Sequence, residues 1–133
     1  MARFVQNYYQ MIKSIFIALV AFVSVGARAG ESERIANAIQ ASNTTELSQM
    51  FNTSIELVTP ASSGVNTKEQ AKIVLDNFFK NHQPVKATVT HETSGTTNSM
   101  IVISLVTKNG TYRISISGTY KAGTFYINEF KIS

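Results

Sequence analysis

Two histidines, His82 and His91, are the side chains of this chain whose charge changes near neutral pH. His91 sits in a stretch that alternates in the manner of a strand, Val85-Lys86-Ala87-Thr88-Val89-Thr90-His91. Strict alternation puts it on the same side as Val85, Ala87 and Val89. There it would either serve as a general base or donate a hydrogen bond to a bound ligand. A general base needs a partner placed by geometry before its pKa matters. The carboxylate next in sequence, Glu92, must point to the opposite face of the same strand. Asp76, the only aspartate, falls on the solvated stripe of a helix. The residues therefore favour ligand binding over catalysis. A small enzyme with His91 as general base is the alternative. His82 lies near the end of that helix, where a histidine complements the negative end of the helix dipole.

Other chemistries find little to use. Cysteine is absent, which removes thiolate metal sites, cysteine nucleophiles and disulfides together. The two histidines lack the i, i+4 spacing of a helical metal pair, so no metal is expected. There is no Gly-x-Ser-x-Gly elbow for serine hydrolysis and no glycine-rich phosphate loop, so no cofactor is expected. Asn43-Thr44-Thr45, Asn52-Thr53-Ser54 and Asn109-Gly110-Thr111 match the glycosylation triplet, but chance produces such triplets in a chain rich in Asn and Thr.

The elements that must position His91 divide the chain in two. Helical periods dominate the first half and period two the second, the pattern of an α+β domain with an antiparallel sheet. Ser32 caps a helix through residue 42 whose stripe is Ile35, Ala38 and Ile39. Asn43 or Thr44 caps a second, short helix carrying Leu47, Met50 and Phe51. Residues 54–58 read as a short strand and 60–65 as a loop. Thr67-Lys68-Glu69-Gln70 is a capping box, opening a helix that runs to Asn81 with Ala71, Val74, Leu75 and Phe78 inside. Pro84 prevents its continuation. Residues 85–93, 99–108, 111–121 and 125–132 then form a four-stranded meander.

Asn109-Gly110 suits a type I′ turn. A two-residue loop there pairs Leu105 with Ile114, Ile103 with Ile116, and Ile101 with Gly118. An odd loop of Ala122, Gly123 and Thr124, with a bulge, sets Phe130 opposite Ile116 and Ile132 opposite Ile114. Val89 then lies beside Ile103 and His91 beside Ile101. On the helix-facing side the rows turn from aliphatic to polar at one end. His91, Gly118 and Asn128 share a row, with Tyr120 and Tyr126 beyond it. A small residue such as Gly118 leaves room there, so these five are the candidate ligand-binding residues. The outer face carries Val102, Val106, Phe125 and Ile127 among Ser and Thr, apolar enough for a homodimer through that face. Arg113 and Lys131 stand on the same outer side and could meet a partner.

Lys13, an apolar run over residues 14–25, and Ala27-Arg28-Ala29 make a secretory signal cleaved after Ala29. The run is shorter than the ~20 residues of a membrane span. The expected domain is residues 30–133, periplasmic or secreted, with no membrane span after cleavage. The whole chain has a formal charge of +4. Removing Arg3, Lys13 and Arg28 leaves nine basic residues against eight acidic ones, scattered singly, which argues against a nucleic-acid partner.

Helices followed by a long curved meander resemble the nuclear transport factor 2-like cone of the cystatin-like superfamily. More narrowly, the chain resembles a family of small exported bacterial proteins of unknown function. The residues that carry this are Ile35-Ala36-Asn37-Ala38-Ile39, Glu46-Leu47-Ser48-Gln49-Met50-Phe51, Ile55-Glu56-Leu57, Lys68-Glu69-Gln70-Ala71, Phe78-Phe79 and Asn109-Gly110-Thr111-Tyr112-Arg113. The superfamily includes isomerases, dehydratases and pure binding modules, and its enzymes commonly use an Asp and a His inside the cone. This chain offers His91 without an Asp partner. The resemblance thus implies a module that binds a small ligand or a protein.

Overall fold

The computed structural model describes residues 30–133. The secretory signal expected over residues 1–29 lies outside the described residues. Helix α1 (Glu31–Gln40) and helix α2 (Thr44–Met50) come first, then strands β1 (Phe51–Val58) and β2 (Ser63–Thr67), and helix α3 (Lys68–Asn81). Strands β3 (Pro84–Ser94), β4 (Asn98–Thr107), β5 (Gly110–Lys121) and β6 (Thr124–Ile132) complete the chain. Local chemistry sets the helix ends. The Asn43 Oδ1 atom accepts from the Glu46 N–H at 3.1 Å, capping α2. At α3 the capping box forms in full, with Gln70 N–H on Thr67 Oγ1 and Thr67 N–H on Gln70 Oε1, both 3.2 Å.

The six strands form one sheet in the order β2-β1-β6-β5-β4-β3. Strands β3 to β6 form the expected antiparallel meander, and three features beyond it differ from expectation. Phe51 opens β1 rather than closing α2, and β1 runs parallel to β6. Residues 63–67, read as mostly loop, form an edge strand hydrogen-bonded to β1 alone. That strand is largely exposed and carries no apolar alternation, so its sequence holds no strand signal. The helices cover one face. Ile35, Ile39, Leu47, Leu75 and Phe79 pack there on Phe51, Ile55, Leu57, Ile103, Leu105, Ile114, Ile116, Ile127 and Phe130.

Three registers decide where the candidate residues go. Between β4 and β5 the turn is Lys108-Asn109, not Asn109-Gly110, since Thr107 pairs with Gly110. The Thr107 hydroxyl closes this turn by donating to the Gly110 carbonyl at 2.7 Å. Ile103 therefore faces Ile114 and Ile101 faces Ile116. The displacement is two residues, so every side chain keeps its expected face. Between β5 and β6, Ile116–Phe130 and Ile114–Ile132 pair as expected. The loop, however, is two residues, Ala122 and Gly123, both with positive φ (51° and 79°). The odd residue sits further along, as a bulge at Asn128, between the Ser117–Glu129 and Gly118–Ile127 pairs. Between β3 and β4, Val89 pairs with Ile103, but His91 then pairs with Val102 and Glu92 with Ile101. Thr90 is the extra residue, and past a bulge the alternation inverts.

Candidate functional site

The Thr90 bulge turns His91 outward and Glu92 inward. His91 shares its row with Val102, Ser115 and Lys131 on the face away from the helices. Glu92 lies on the helix side, where its Oε2 accepts from the buried Ser32 hydroxyl of α1 at 3.0 Å. The expected placement of His91 beside Ile101 is thereby corrected. A carboxylate does stand beside Ile101, but it is held by α1 and faces away from His91.

The other four candidates divide between the two faces. Gly118 is buried on the helix side, where the Phe125 ring occupies the room its missing side chain leaves. Tyr120 is on the same side, its ring 5.2 Å from that of Phe125. Asn128, the bulge residue, accepts from Asn52 Nδ2 at 2.8 Å and donates to Thr119 Oγ1 at 3.3 Å. Tyr126 pairs with Thr119 on the outer face and lies under the Lys121 ammonium, 5.9 Å from ring centroid to nitrogen. The structure brings Gly118 and Asn128 together in the wall of a shallow depression of about 250 Å³, while His91, Tyr120 and Tyr126 lie outside it. The Asn128 bulge also moves Phe125 and Ile127 from the outer face into the core. That face keeps Val102 and Val106, and Met100 joins them.

What His91 does line is an open depression of about 530 Å³ on the outer sheet face, with Thr90, Val102, Ser104, Thr111 and Arg113. Hydroxyl groups, an imidazole and a guanidinium surround a valine there. Such a surface holds donors for a polar or anionic group and an apolar floor, and no Asp or Glu side chain lines it. Arg113 makes no ion pair within 4.0 Å among the described residues.

A second cluster has no counterpart in the sequence reading beyond His82 itself. His82 follows the last turn of α3, and its Nδ1 lies 3.1 Å from both Asn109 Oδ1 and the Tyr112 hydroxyl. Asn109 Nδ2 donates to the Asn81 carbonyl at 3.2 Å, which orients the amide with its oxygen toward the imidazole. The ring also lies over Phe78 at 4.6 Å, tilted by 30°. This clasp ties the end of α3 to the β4–β5 turn across 27 residues of sequence. No local pattern signals a contact of that separation. Beside it lies a smaller depression of about 300 Å³, with Thr59, Ser62, Asn77 and Asn81 in its wall.

On helix α3, Asp76 accepts from the Thr44 hydroxyl of α2 and from Lys72 Nζ at 3.1 Å. The Thr44 hydrogen bond foremost, and then the Lys72 ammonium, hold its carboxyl below the usual carboxylate range, against an opposing push from burial. This group joins two helices and faces neither histidine.

The family model described as "Domain of unknown function (DUF4783)" matches residues 32–133. A DUF4783 family protein from Bacteroides uniformis is 22% identical, with a TM-score of 0.72 over 76% of this chain and 94% of that one. Another from Bacteroides fragilis is 26% identical, with a TM-score of 0.69 over 74% and 92%. A protein from Xanthomonas campestris named for a calcium/calmodulin dependent protein kinase II association domain has 17% identity and a TM-score of 0.57, over 76% and 80%. Helices followed by a curved mixed sheet are the nuclear transport factor 2-like architecture that these likenesses share. The curated proteins contain no match.

Proposed function

We propose, for a chain that belongs to the DUF4783 family, a non-catalytic binding module that works through the outer face of its sheet. The observation that carries this reading is the filled interior. Phe125 covers Gly118, and Phe51 and Phe130 pack edge to face at 6.3 Å within the core between helices and sheet. The outer depression around His91 and Arg113 offers hydrogen-bond donors around apolar Val102, a mixture suited to a protein surface. No Asp or Glu side chain lines the depression with His91, which supports binding over proton transfer. The neighbour named for an association domain supports the use of this architecture in assembly. The module acts after export, in the periplasm or outside the cell, a reading supported by Lys13, the apolar run 14–25 and Ala27-Arg28-Ala29.

A fragment screen read by amide chemical shifts on the purified protein tests this. The expected perturbations centre on Thr90, His91, Ser104 and Arg113. Perturbations centred on Ile101, Gly118 and Phe125, with the outer face silent, would overturn it by showing an interior that opens to ligands.

A further inference from the structure

We infer that the depression beside the end of α3 is a second binding site, which takes one uncharged, hydroxyl-bearing ring of the monosaccharide class, with His82 Nε2 accepting from a ligand hydroxyl. It shares no lining residue with the outer-face depression.

The clasp at the end of α3 fixes the proton on His82. The Asn81 carbonyl has no hydrogen to give, so the Asn109 amide must turn its Nδ2 toward it, at 3.2 Å. Asn109 Oδ1 then faces the His82 Nδ1 atom at 3.1 Å. An amide oxygen only accepts, so Nδ1 carries the proton. The Tyr112 hydroxyl oxygen, also 3.1 Å from Nδ1, shares that N–H as a second acceptor. In the neutral ring the lone pair is left on Nε2, which has no hydrogen-bond partner among the described residues. Packing holds the ring as well. The imidazole lies over Phe78 at 4.6 Å and meets the Tyr112 ring edge to face at 5.3 Å. His82 is thus an acceptor of fixed orientation that no described part of the fold uses.

His82 forms one wall of a depression of about 300 Å³ between α3 and the β1–β2 connection. Another wall is held by Thr59, whose Oγ1 accepts from the Ala61 N–H at 3.3 Å and the Ser62 N–H at 3.1 Å. This fixes the connection without engaging the side-chain amides of Asn77 and Asn81. Both residues line the depression, and neither amide has a hydrogen-bond partner among the described residues.

Charge and size select the occupant. No Asp, Glu, Lys or Arg side chain lines the depression, so an ion would lose hydration there with no opposite charge to replace it. A wholly apolar molecule would leave Nε2 and two amides unpaired. Each amide offers a donor and an acceptor, and Nε2 a further acceptor. A hydroxyl both donates and accepts, so neighbouring hydroxyls on one ring satisfy all three groups. Val74 and Phe78 supply apolar contact for the C–H face of such a ring. A volume of about 300 Å³ is at the lower bound for small-molecule sites and limits the occupant to about one ring.

Nuclear magnetic resonance on the purified protein tests the inference. Without ligand, at about pH 8, the imidazole nitrogens of His82 should report the Nδ1–H tautomer. D-glucose, D-galactose and N-acetyl-D-glucosamine are then added separately, each to about 50 mM. At least one should shift the His82 Nε2 resonance and the Asn77 and Asn81 side-chain amides, with half-saturation at about 1–10 mM. Asn77→Ala, at an exposed position, should raise that concentration at least about fivefold with the tautomer unchanged. Arg113→Ala should leave it unchanged. An Nε2–H tautomer would overturn the inference. So would the lack of a saturating shift with all three sugars, an equal response to Asn77→Ala and Arg113→Ala, or tighter saturation by sodium acetate. Shifts around His91 and Arg113 in the fragment screen would stand in each of those cases, so this site and the outer face fail separately.

Discussion

The Ser32 hydroxyl on α1 donates to the Glu92 carboxylate on β3, 3.0 Å away and 60 residues on. The bond exists because Thr90 is inserted opposite β4, which turns Glu92 to the helix side and its neighbour His91 to the other. A single residue thus decides which of two adjacent ionisable side chains turns to the helix side and which turns away from it.

Those neighbours should respond oppositely to truncation. Glu92→Ala leaves the Ser32 hydroxyl, only 5% exposed, without its partner, and should cost about 1–2 kcal/mol in urea unfolding. His91→Ala removes an exposed side chain with no core contact and should stay within about 0.5 kcal/mol of wild type. The reverse order would place the bulge elsewhere.

Gly118 is required by packing. A Cβ there would stand 2.5 Å from the Tyr126 carbonyl oxygen and would collide with the Phe125 ring. Gly118→Ala should destabilise the fold by about 2–3 kcal/mol, as overpacking does in a filled core. Adding Phe125→Leu should recover only part of this, because the backbone oxygen remains. Chemical denaturation of the single and double variants measures both.

The β5–β6 turn holds room for improvement. Ala122 adopts φ 51°, in the left-handed region, where its Cβ is strained. Ala122→Asn gives the first position of this two-residue turn the residue type it favours. The expected gain is about 0.5–1 kcal/mol, read as a higher melting temperature with the same sheet register.

Asp76 gives the fold a pH dependence of known sign. Its folded-state pKa lies below the ordinary value of 3.8, chiefly through the Thr44 hydroxyl. The stabilisation is therefore present above that value and lost as pH falls through the lower folded one. Asp76→Asn should be less stable than wild type at pH 7, and the gap should close below pH 3.8. The carboxylate side chain is 44% exposed, so solvent screening keeps the gap under about 1 kcal/mol. Stability curves of both proteins from pH 2 to pH 7 check the direction.

The elements and most faces were legible in the residues alone. The capping box at Thr67 and Gln70, the apolar stripe of α3, and the pairs Ile116–Phe130 and Val89–Ile103 all form as alternation and capping chemistry dictate. Even the misplaced β4–β5 turn did no harm, because a two-residue shift preserves every face.

The candidate site was not legible, and the reason lies in the same periodicity. Alternation states which residues share a side only until an extra residue intervenes, and it carries no mark of where that residue sits. Thr90 and Asn128 are ordinary strand positions in sequence. They become bulges because the sheet must curve around the helices and because Phe125 and Ile127 fill the core better than Tyr126 and Asn128 would. The parallel seating of β1 on β6 and the clasp of His82 on Asn109 are likewise choices among distant partners. By itself the sequence determined helices, strands and an apolar side. Tertiary packing decided which polar groups came with it, since the cost of an inserted residue is weighed against the fit of the whole sheet.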